Sequence, residues 1–434
     1  MKVLFFVLSL IIFVHGLLIV ASLLYFKDQK LKYLYKSSPV SKKNKEIEFY
    51  ILLSVFNESK IIESTYKHFK EIVNVKNNIR CVFITTEKEK LVTGRNETKE
   101  ILEQLIRNDN KFSLINYPYH KGNKPSQLNY ALDQLEKDVI NKNERDIYIC
   151  QYDADSRPLK ETFEELEEII NITNCNVIQQ PTKFDENYNG LNLYLKLEAC
   201  FQTRWAYGFE RRNQMLSVNK YINKIFVPFA YTVGHGMVVK SDFLYNVGKY
   251  PSPNEDVPFG QKMILIGEPI YPTVTYDRGT IVETFKDLFY QSGNWIKAPL
   301  VSIKMYKEIR HYKKMSIYRS VMFFTKIAFD LLSWVQYIIY LFLCVVVSIS
   351  EGSINYLIFG FFILWIESSY SVFYTHKYIL KENSLKERLL LMIICPIRGL
   401  VRGLSLFSFL KQSLTGWYYD SGREITNTGI KKIK

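Results

Sequence analysis

The sequence is poor in cysteine, and its cysteines are not spaced as metal-binding pairs. The six cysteines show no C-x-x-C spacing, and several of them lie in apolar runs. This pattern is typical of reduced residues in an apolar core. The chain also lacks an internal repeat, and it has no low-complexity segment beyond its lysine-rich flanks. Nothing in it therefore indicates a repeat protein.

The chain also lacks the pattern of a nucleic-acid-binding surface, although its net charge is +14. No stretch interleaves arginines with aromatic residues as such a surface does. The lysines lie instead beside apolar segments, as in residues 297–314. There they would meet anionic lipid headgroups. The composition predicts membrane lipids as partners and no nucleic acid.

Long apolar runs indicate where the chain meets a membrane. Residues 3–25 carry no charge and are long enough to span roughly 30 Å of hydrocarbon. No A-x-A-like site follows, and the run is too long for a signal peptide, so 1–26 is predicted to be a retained anchor. Two further runs, at about 320–349 and 353–375, predict a transmembrane hairpin over 320–375.

A fourth apolar run, at 389–410, contains Pro396, Arg398 and Arg402. Such a segment could be a span, a re-entrant hairpin or an interfacial helix. We assign 387–412 as a third C-terminal membrane or interfacial segment, and 301–318 as an interfacial amphipathic helix.

The lysines around the first span predict its orientation. Only Lys2 precedes the span, whereas four lysines follow it: Lys27, Lys30, Lys32 and Lys36. This bias predicts a cytoplasmic middle region in an integral protein of the plasma membrane. The tail, 413–434, is basic too and is predicted to lie on the same side, which favours an interfacial 389–410 segment. The sequons at Asn57, Asn96 and Asn171 would then stay unused.

The middle of the chain, about 41–300, alternates short apolar strands with amphipathic helices. Strands are predicted at 48–56, 80–85, 112–116, 146–152 and 176–179, and helices at 59–73, 97–107, 124–138, 160–171 and 188–212. This alternation predicts an α/β domain with a largely parallel sheet. Ligands of such sheets gather at the carboxyl ends of the strands.

Charged residues follow two of these strands. The strand at 146–152 runs into Asp153 and Asp155, two like charges that repel unless a cation lies between them. The strand at 112–116 leads into a glycine turn with Lys121 and Lys124. Because a hard divalent cation prefers oxygen ligands and often keeps phosphate oxygens among them, these residues predict a metal–diphosphate site. A solvated surface loop is the competing interpretation of Asp153 and Asp155.

Three later stretches contain further candidates. Gly234 and Gly236 flank His235 in a turn that brings backbone close to a ligand or permits positive φ. Glu255 and Asp256 begin a helix, where ordinary capping is a competing interpretation. Gln291 and Trp295 lie one helical turn apart on one face, although a tryptophan near a membrane is often an interfacial anchor.

In this order the stretches resemble the processive and lipid-directed members of glycosyltransferase family 2, which includes cellulose, chitin and hyaluronan synthases. FNES (56–59) resembles the early N-E motif, and GNKPSQLN (122–129) the G-K-x-x-A-L-N stretch. DAD (153–155) is similar to the metal-binding D-x-D. NED (254–256) is similar to the T/S-E-D motif, and QSGNW (291–295) to Q-x-x-R-W. The resemblance covers roughly 48–300.

The resemblance implies a GT-A (Rossmann-like) fold and inverting transfer from a nucleotide-diphosphate sugar, with a UDP-sugar favoured, to a glycan or lipid acceptor. It implies Asp256 as the general base, with Glu255 beside it, and Mg²⁺ or Mn²⁺ on Asp155 and Asp153. The residues that it assigns to the donor are Asn57, Glu58, Glu87, Lys124 and Asp153. Those that it assigns to the acceptor are Gly234, His235, Gly236, Gln291 and Trp295.

Two departures from the family pattern bear on the function. Asn294 stands where the family has an arginine that helps to neutralise the departing diphosphate, so Lys297, Lys124 or the metal would have to compensate. ITTEKE (84–89) stands where the family often has paired aspartates, and Glu87 is the substitute. Two alternatives stay open: an enzyme that adds one sugar to a polyprenyl or sphingoid acceptor, and an inactive membrane scaffold of the same fold.

Overall fold

The computed structural model describes residues 1–25, 46–139, 145–252, 254–312, 316–414, 425–426 and 429–430. The strands are β1 (Glu46–Ser54), β2 (Ile79–Thr86), β3 (Phe112–Tyr117), β4 (Arg145–Tyr152), β5 (Arg157–Pro158), β6 (Val177–Gln179), β7 (Thr182–Phe184), β8 (Met237–Lys240), β9 (Tyr271–Pro272), β10 (Asp277–Gly279), β11 (Ile425–Thr426) and β12 (Gly429–Ile430). The helices are α1 (Lys2–Tyr25), α2 (Ile62–Val75), α3 (Lys88–Thr93), α4 (Glu97–Ile106), α5 (Lys124–Val139), α6 (Thr162–Thr173), α7 (Leu193–Trp205), α8 (Arg211–Val218), α9 (Lys220–Ile225), α10 (Ser241–Asn246), α11 (Val257–Ile266), α12 (Phe285–Tyr312), α13 (Ile317–Ser350), α14 (Asn355–Tyr374) and α15 (Leu385–Leu414). Most of the predicted basic tail, and the four lysines after the first apolar run, lie outside the described residues.

A seven-stranded sheet forms the centre of the α/β domain, in the order β3-β2-β1-β4-β8-β6-β9. β1 pairs in parallel with β2 and β4, β2 with β3, and β6 with β9, whereas β8 is antiparallel to both of its neighbours. The central strands are nearly continuous apolar runs because helices cover both faces of the sheet. The predicted α/β class with a mostly parallel sheet is confirmed.

A second, three-stranded sheet lies at the edge where the site forms. Its order is β5-β10-β7, with β10 antiparallel to β5 and parallel to β7. Strands of two or three residues carry too little periodicity to be predicted from sequence. The sheet places the residues that follow β10 beside those that follow β4.

The long helix predicted at 188–212 is divided in the structure. A 3-10 turn (Tyr188–Gly190) precedes α7, and a π-helical turn (Ala206–Glu210) separates α7 from α8. Asn192 defines the start of α7, because its side-chain Oδ1 accepts a hydrogen bond from the Leu195 backbone N–H at 3.0 Å. The predicted start at residue 188 was therefore too early.

Residues 301–312 of the helix predicted over 301–318 are the last part of a longer helix. α12 begins at Phe285 and ends at Tyr312, and the next helix begins at Ile317. Buried apolar residues continue along one side of α12 past residue 300, as Leu288, Ile296 and Val301 show. The boundary placed at residue 300 thus lies inside one helix.

Among the described residues, four helical segments are long and apolar enough to cross a membrane: Lys2–Tyr25, Ile317–Ser350, Asn355–Ile379 and Leu385–Lys411. The first three pack together as a bundle. At one end of it, Lys2 and Glu351 form an ion pair of 2.5 Å. Further along, His15 of α1 lies 3.4 Å from Glu367 of α14.

The helix α15 crosses this bundle and does not run along it. Cys395 lies 3.4 Å from Ser368 of α14, and Gly399 packs directly on Tyr337 of α13. Near one end of α15, Glu387 accepts a hydrogen bond from the Tyr188 hydroxyl at 3.0 Å. Near the other end, the Lys411 Nζ lies 3.4 Å from the Tyr290 hydroxyl. Both ends of α15 therefore contact the α/β part of the chain or α12.

Candidate functional site

A cavity of about 460 Å³ lies between the carboxyl edge of the main sheet and the membrane-helix bundle. This volume is in the range of small-molecule sites. Nine of the residues predicted from sequence line it: Lys124, Asp153, Asp155, Gly234, His235, Glu255, Asp256, Gln291 and Trp295. The structure thus brings together residues that are up to 171 positions apart in the sequence.

Strand direction explains this convergence. β4 ends at Tyr152, and the antiparallel β8 begins at Met237, so the residues after one strand and before the other lie at the same edge. The turn before β8 needs a glycine, since Gly236 has φ +67° and an added Cβ would lie 2.7 Å from Gln180 Cβ. Gly236 is not among the residues that line the cavity. Its role is to form the turn.

Lys124 lies between the acidic groups of the site. Its Nζ contacts the Asp153 carboxylate, lies 2.9 Å from Glu255 Oε1, and donates a hydrogen bond to the Gly234 carbonyl at 3.1 Å. Burial alone would lower the pKa of Lys124, but the two carboxylates outweigh it and raise that pKa. One permanent cation therefore offsets part of the repulsion that the sequence predicts.

Asp155 is less fully neutralised. Its Oδ2 accepts a hydrogen bond from the hydroxyl of Thr280, which follows β10. Burial and, after it, the charge of Asp153 raise the pKa of Asp155. A further cation next to this carboxylate would relieve both effects.

The residues present fit a divalent ion that shares its coordination with a ligand. Among the described residues, no group of three or more His, Cys, Asp or Glu side chains is arranged to hold a metal alone. Asp155 and Asp153 could supply one or two oxygen ligands, and the rest would come from diphosphate oxygens and water.

His235 forms an ion pair with Asp277 at this edge. Its Nδ1 lies 2.9 Å from Oδ2 of Asp277, which is fully buried and also accepts a 2.8 Å hydrogen bond from the Arg157 backbone N–H. Burial would lower the pKa of His235, but the hydrogen bond and charge of Asp277 raise it to about 9. A protonated imidazole repels a metal ion and attracts an anionic ligand.

Asp256 and Glu255 differ in their surroundings although they are adjacent. Glu255 Oε1 is held by Lys124 and, at 3.1 Å, by Gln151 Nε2. Asp256 occupies the N-cap position of α11, yet its side chain makes no capping hydrogen bond. Burial and then the charge of Glu255 raise the pKa of Asp256 to about 7. Asp256 is therefore suited to exchange a proton near neutral pH, whereas Glu255 positions Lys124.

Gln291 and Trp295 project from α12 into the cavity, one turn apart as predicted. Trp295 is 38% exposed, so part of its side chain is accessible to a ligand. Asn294, the residue that replaces the family's arginine, also lines the cavity. The side chain of Lys297, a predicted substitute for that arginine, lies outside the described part of the chain.

Three residues predicted to bind the donor do not line the cavity: Asn57, Glu58 and Glu87. They lie where β1 and β2 end. Asn57 has φ +57°, and the Glu58 N–H donates a 3.0 Å hydrogen bond to Thr98 Oγ1.

The carboxylate of Glu87 already has partners in the structure. It accepts hydrogen bonds from the side-chain amides of Asn96, at 2.8 Å, and Asn116, at 2.7 Å. These contacts order the ends of neighbouring strands and lie apart from the acidic group around Lys124.

The membrane-side end of the cavity contains charged residues that sequence reasoning did not assign to the site. Arg398 of α15 makes two hydrogen bonds to Glu198 of α7, at 2.9 and 3.0 Å. The guanidinium of Arg402 lies 4.1 Å from the centre of the Trp334 ring. The sequence did contain a signal for Arg398 and Arg402, because charged residues inside an apolar run usually face a protein interior or a polar cavity.

No family model and no curated protein sequence matches the chain. Among solved structures, the chain is similar to a mannosyltransferase from Pyrobaculum calidifontis in complex with GDP-Man and Mn²⁺, with 12% identity, a TM-score of 0.49, and coverage of 93% of this chain and 99% of that one. It is also similar to S. aureus TarS 1–349 in complex with UDP-GlcNAc, with 14% identity, a TM-score of 0.40, and coverage of 89% and 97%. A third is glucosyl-3-phosphoglycerate synthase from Mycobacterium tuberculosis, with 10% identity, a TM-score of 0.31, and coverage of 60% and 76%. At these identities and TM-scores the likenesses establish neither a family nor an activity.

Proposed function

We propose that the protein is an inverting, metal-dependent glycosyltransferase of the GT-A type. It would move a sugar from a nucleotide-diphosphate sugar, with a UDP-sugar favoured, to a polysaccharide or lipid-linked acceptor at the membrane. One observation carries the proposal: a cavity has Lys124, Asp153, Asp155 and Asp256 at one end, and helices of membrane-spanning length at the other.

The donor would bind at the carboxyl edge of the sheet. Lys124 and His235 supply positive charge there for a diphosphate. Asp155 and Asp153 would hold Mg²⁺ or Mn²⁺, which when bound offsets the charge that develops on the leaving diphosphate. The Lys124–Asp153 contact would then adjust to admit the ion.

Asp256 would accept the proton of the acceptor hydroxyl as that oxygen attacks the anomeric carbon. Its raised pKa, about 7, makes it a better base than an ordinary carboxylate and leaves it ionised in a useful fraction near neutral pH. The attack displaces the nucleoside diphosphate in one step, so no enzyme nucleophile is required. Trp295 would present the accessible part of its side chain to the acceptor, and Gln291 an amide.

The membrane arrangement that follows has three spans and one interfacial helix. α1, α13 and α14 would cross the bilayer, and α15 would lie at its cytoplasmic surface, because it crosses the bundle and contacts the α/β domain near its first end. With three spans after an outside N-terminus, the catalytic domain and the tail both face the cytoplasm, as the lysine bias predicts. The membrane would be the plasma membrane.

Two alternatives use the same fold. An enzyme that adds a single sugar to a polyprenyl or sphingoid acceptor would need the same carboxylates, and Asn294 favours it because the processive members have an arginine there. An inactive scaffold would not need Asp153, Asp155 and Asp256 to stay together, yet all three line one cavity.

The proposal is tested with detergent-solubilised protein and a panel of radiolabelled nucleotide sugars. The expected result is label in a solvent-extractable or polymeric product that depends on a divalent cation. An Asp155→Asn sample prepared in parallel controls for contaminating activity. If no nucleotide sugar binds or is consumed, the proposal fails.

A further inference from the structure

Charged residues of both signs line the membrane-side end of the cavity, with Glu198 and Asp330 as its acidic members. Arg204, Arg398 and Arg402 all line it. Arg398 is neutralised by two hydrogen bonds to Glu198. The other two arginines are left with unused donors.

Of these arginines, Arg402 has the most N–H donors without a hydrogen-bond partner among the described residues. Among the described residues its guanidinium has no hydrogen bond or ion pair, and its Nε is buried. It lies between two indole rings, 4.1 Å from the centre of the Trp334 ring and 5.6 Å from that of Trp205. Stacking of this kind fixes the plane of a guanidinium and leaves its N–H groups free to bind an anion.

Arg204 supports the same conclusion from α7. It is 3% exposed, and its Nη1 donates a 2.8 Å hydrogen bond to Ser371 Oγ. Glu367 lies at the longer distance of 3.8 Å, and the buried Nε of Arg204 has no partner among the described residues. A buried donor without a partner is costly unless a ligand satisfies it.

The depth of this end relative to the bilayer follows from α13. Residues 331–350 carry no charge, and at about 1.5 Å per residue they extend roughly 30 Å, one hydrocarbon thickness. The far end of that stretch is marked by the Lys2–Glu351 ion pair. Asp330 and Trp334 therefore lie close to the opposite boundary, and so does Arg402, which contacts Trp334.

From these contacts we infer that the cavity binds an anionic lipid acceptor whose phosphate rests on Arg402 and Arg204 and whose hydroxyl-bearing headgroup extends toward Asp256. The inference rests on the proposed function and narrows its acceptor to lipids joined to their headgroup through a phosphate. Arg402 is then a specificity-determining residue. Asp330 also lines this end, and it would disfavour lipids that carry more than the one phosphate charge.

Three probes distinguish binding of a lipid phosphate from binding of the lipid chains alone and from binding of free phosphate. The full chain in detergent is tested for binding of dihexanoyl phosphatidylglycerol, of dihexanoylglycerol, which lacks the phosphate, and of inorganic phosphate. We expect only the first to bind well. Equal binding of dihexanoylglycerol would show that the phosphate is not recognised. Equally tight binding of inorganic phosphate would show that the site does not select a lipid. Either result overturns the inference.

Variants test the residue assignment. Arg402→Gln should weaken binding of dihexanoyl phosphatidylglycerol by about 10- to 100-fold, the usual effect of losing hydrogen bonds to a charged group. Arg402→Lys keeps the charge but loses the planar, stacked guanidinium, so it should lose less affinity than Arg402→Gln. The matched control is Arg212→Gln, because Arg212 lies at the same boundary, bonds Ser22 at 3.2 Å and does not line the cavity.

Binding of radiolabelled nucleotide sugars in the same samples separates this inference from the proposed function. If a nucleotide sugar binds and Arg402→Gln leaves lipid binding unchanged, the acceptor inference fails and the proposed function stands. If no nucleotide sugar binds but lipid binding depends on Arg402, the proposed function fails and an anionic-lipid site remains. If Arg402→Gln does not fold, Arg402→Lys decides, since this variant keeps the charge. If it binds dihexanoyl phosphatidylglycerol no better than dihexanoylglycerol, the site does not recognise the phosphate and the inference fails.

Discussion

Replacement of Asp256 by asparagine distinguishes a catalytic base from a helix cap. An asparagine caps a helix about as well as an aspartate, so a cap would tolerate the change. A base would not, because an amide does not accept the proton of the acceptor hydroxyl. Loss of a general base costs about 10²–10⁴-fold in rate, so transfer should nearly stop while the donor still binds.

The structure also predicts the effect of Asp256→Asn on stability. The pKa of Asp256 is raised from 3.8 to about 7, which corresponds to roughly 4 kcal/mol between its neutral and ionised forms. Because the folded pKa lies above the unfolded one, this group contributes its stability below pH 3.8 and loses it as the pH rises through 7. At pH 8 the wild type therefore contains a disfavoured buried charge. Asp256→Asn should be as stable as the wild type there, or more stable by up to about 4 kcal/mol.

Two assays measure these effects. Thermal unfolding in detergent between about pH 5 and pH 6.5, below the interval in which His235 contributes a slope, should show stability falling with pH more steeply in the wild type than in Asp256→Asn. The wild-type transfer rate should rise with pH and level off above about 7. Glu255→Gln is the neighbouring control, and it should weaken donor binding through Lys124 more than it slows the chemical step. A variant Asp256→Asn that keeps more than about a tenth of the wild-type rate would refute the base assignment.

The other predictions concern the metal, the histidine and the membrane topology. Asp155→Asn should abolish turnover, and excess chelator should do so reversibly, with activity restored by Mg²⁺ or Mn²⁺; full activity in chelator would contradict the metal site. Asp153→Asn should chiefly weaken donor binding. The raised pKa of His235, from 6.5 to about 9, predicts a stability contribution that is complete below pH 6.5 and lost as the pH rises through 9. In His235→Gln the melting temperature should therefore change less with pH over that interval. If its pH dependence is unchanged, the His235–Asp277 contact is not the source of that dependence. Because all six native cysteines are buried, a cysteine at the exposed position Tyr119 reports topology, and labelling of it from outside intact cells would reverse the predicted orientation.

The strands of the main sheet could be predicted because their apolar runs are long and buried on both sides. The runs at 48–56 and 146–152 correspond to β1 and β4 within two residues at each end. The edge of the sheet that binds ligands follows from parallel pairing, and with it the position of Asp153 and Asp155. The short strand β8 was not predicted, because four residues show too little periodicity. Its antiparallel direction is what brings His235 to the same edge.

The contacts between distant segments could not be predicted from the sequence. Lys124 was expected near a diphosphate, but its contacts with Asp153 and Glu255 join residues that no local pattern relates. Glu87 was expected to bind the donor, and its hydrogen bonds with the side chains of Asn96 and Asn116 were not predicted. Sequence patterns indicate which residues are charged and where strands end. The contact partners of those charged residues depend on how distant segments pack together.

The position of α15 links the membrane helices to the chemistry of the site. A fourth span would place Arg398 and Arg402 in hydrocarbon, where an arginine costs about 2.5–3.5 kcal/mol or more. Lying across the bundle, α15 instead directs both arginines into the cavity, where Arg398 pairs with Glu198 and Arg402 stacks on Trp334. The charges that interrupt the last apolar run are therefore explained by one arrangement. Under the proposed function, an acceptor would enter it from the bilayer surface and meet the donor at the edge of the sheet.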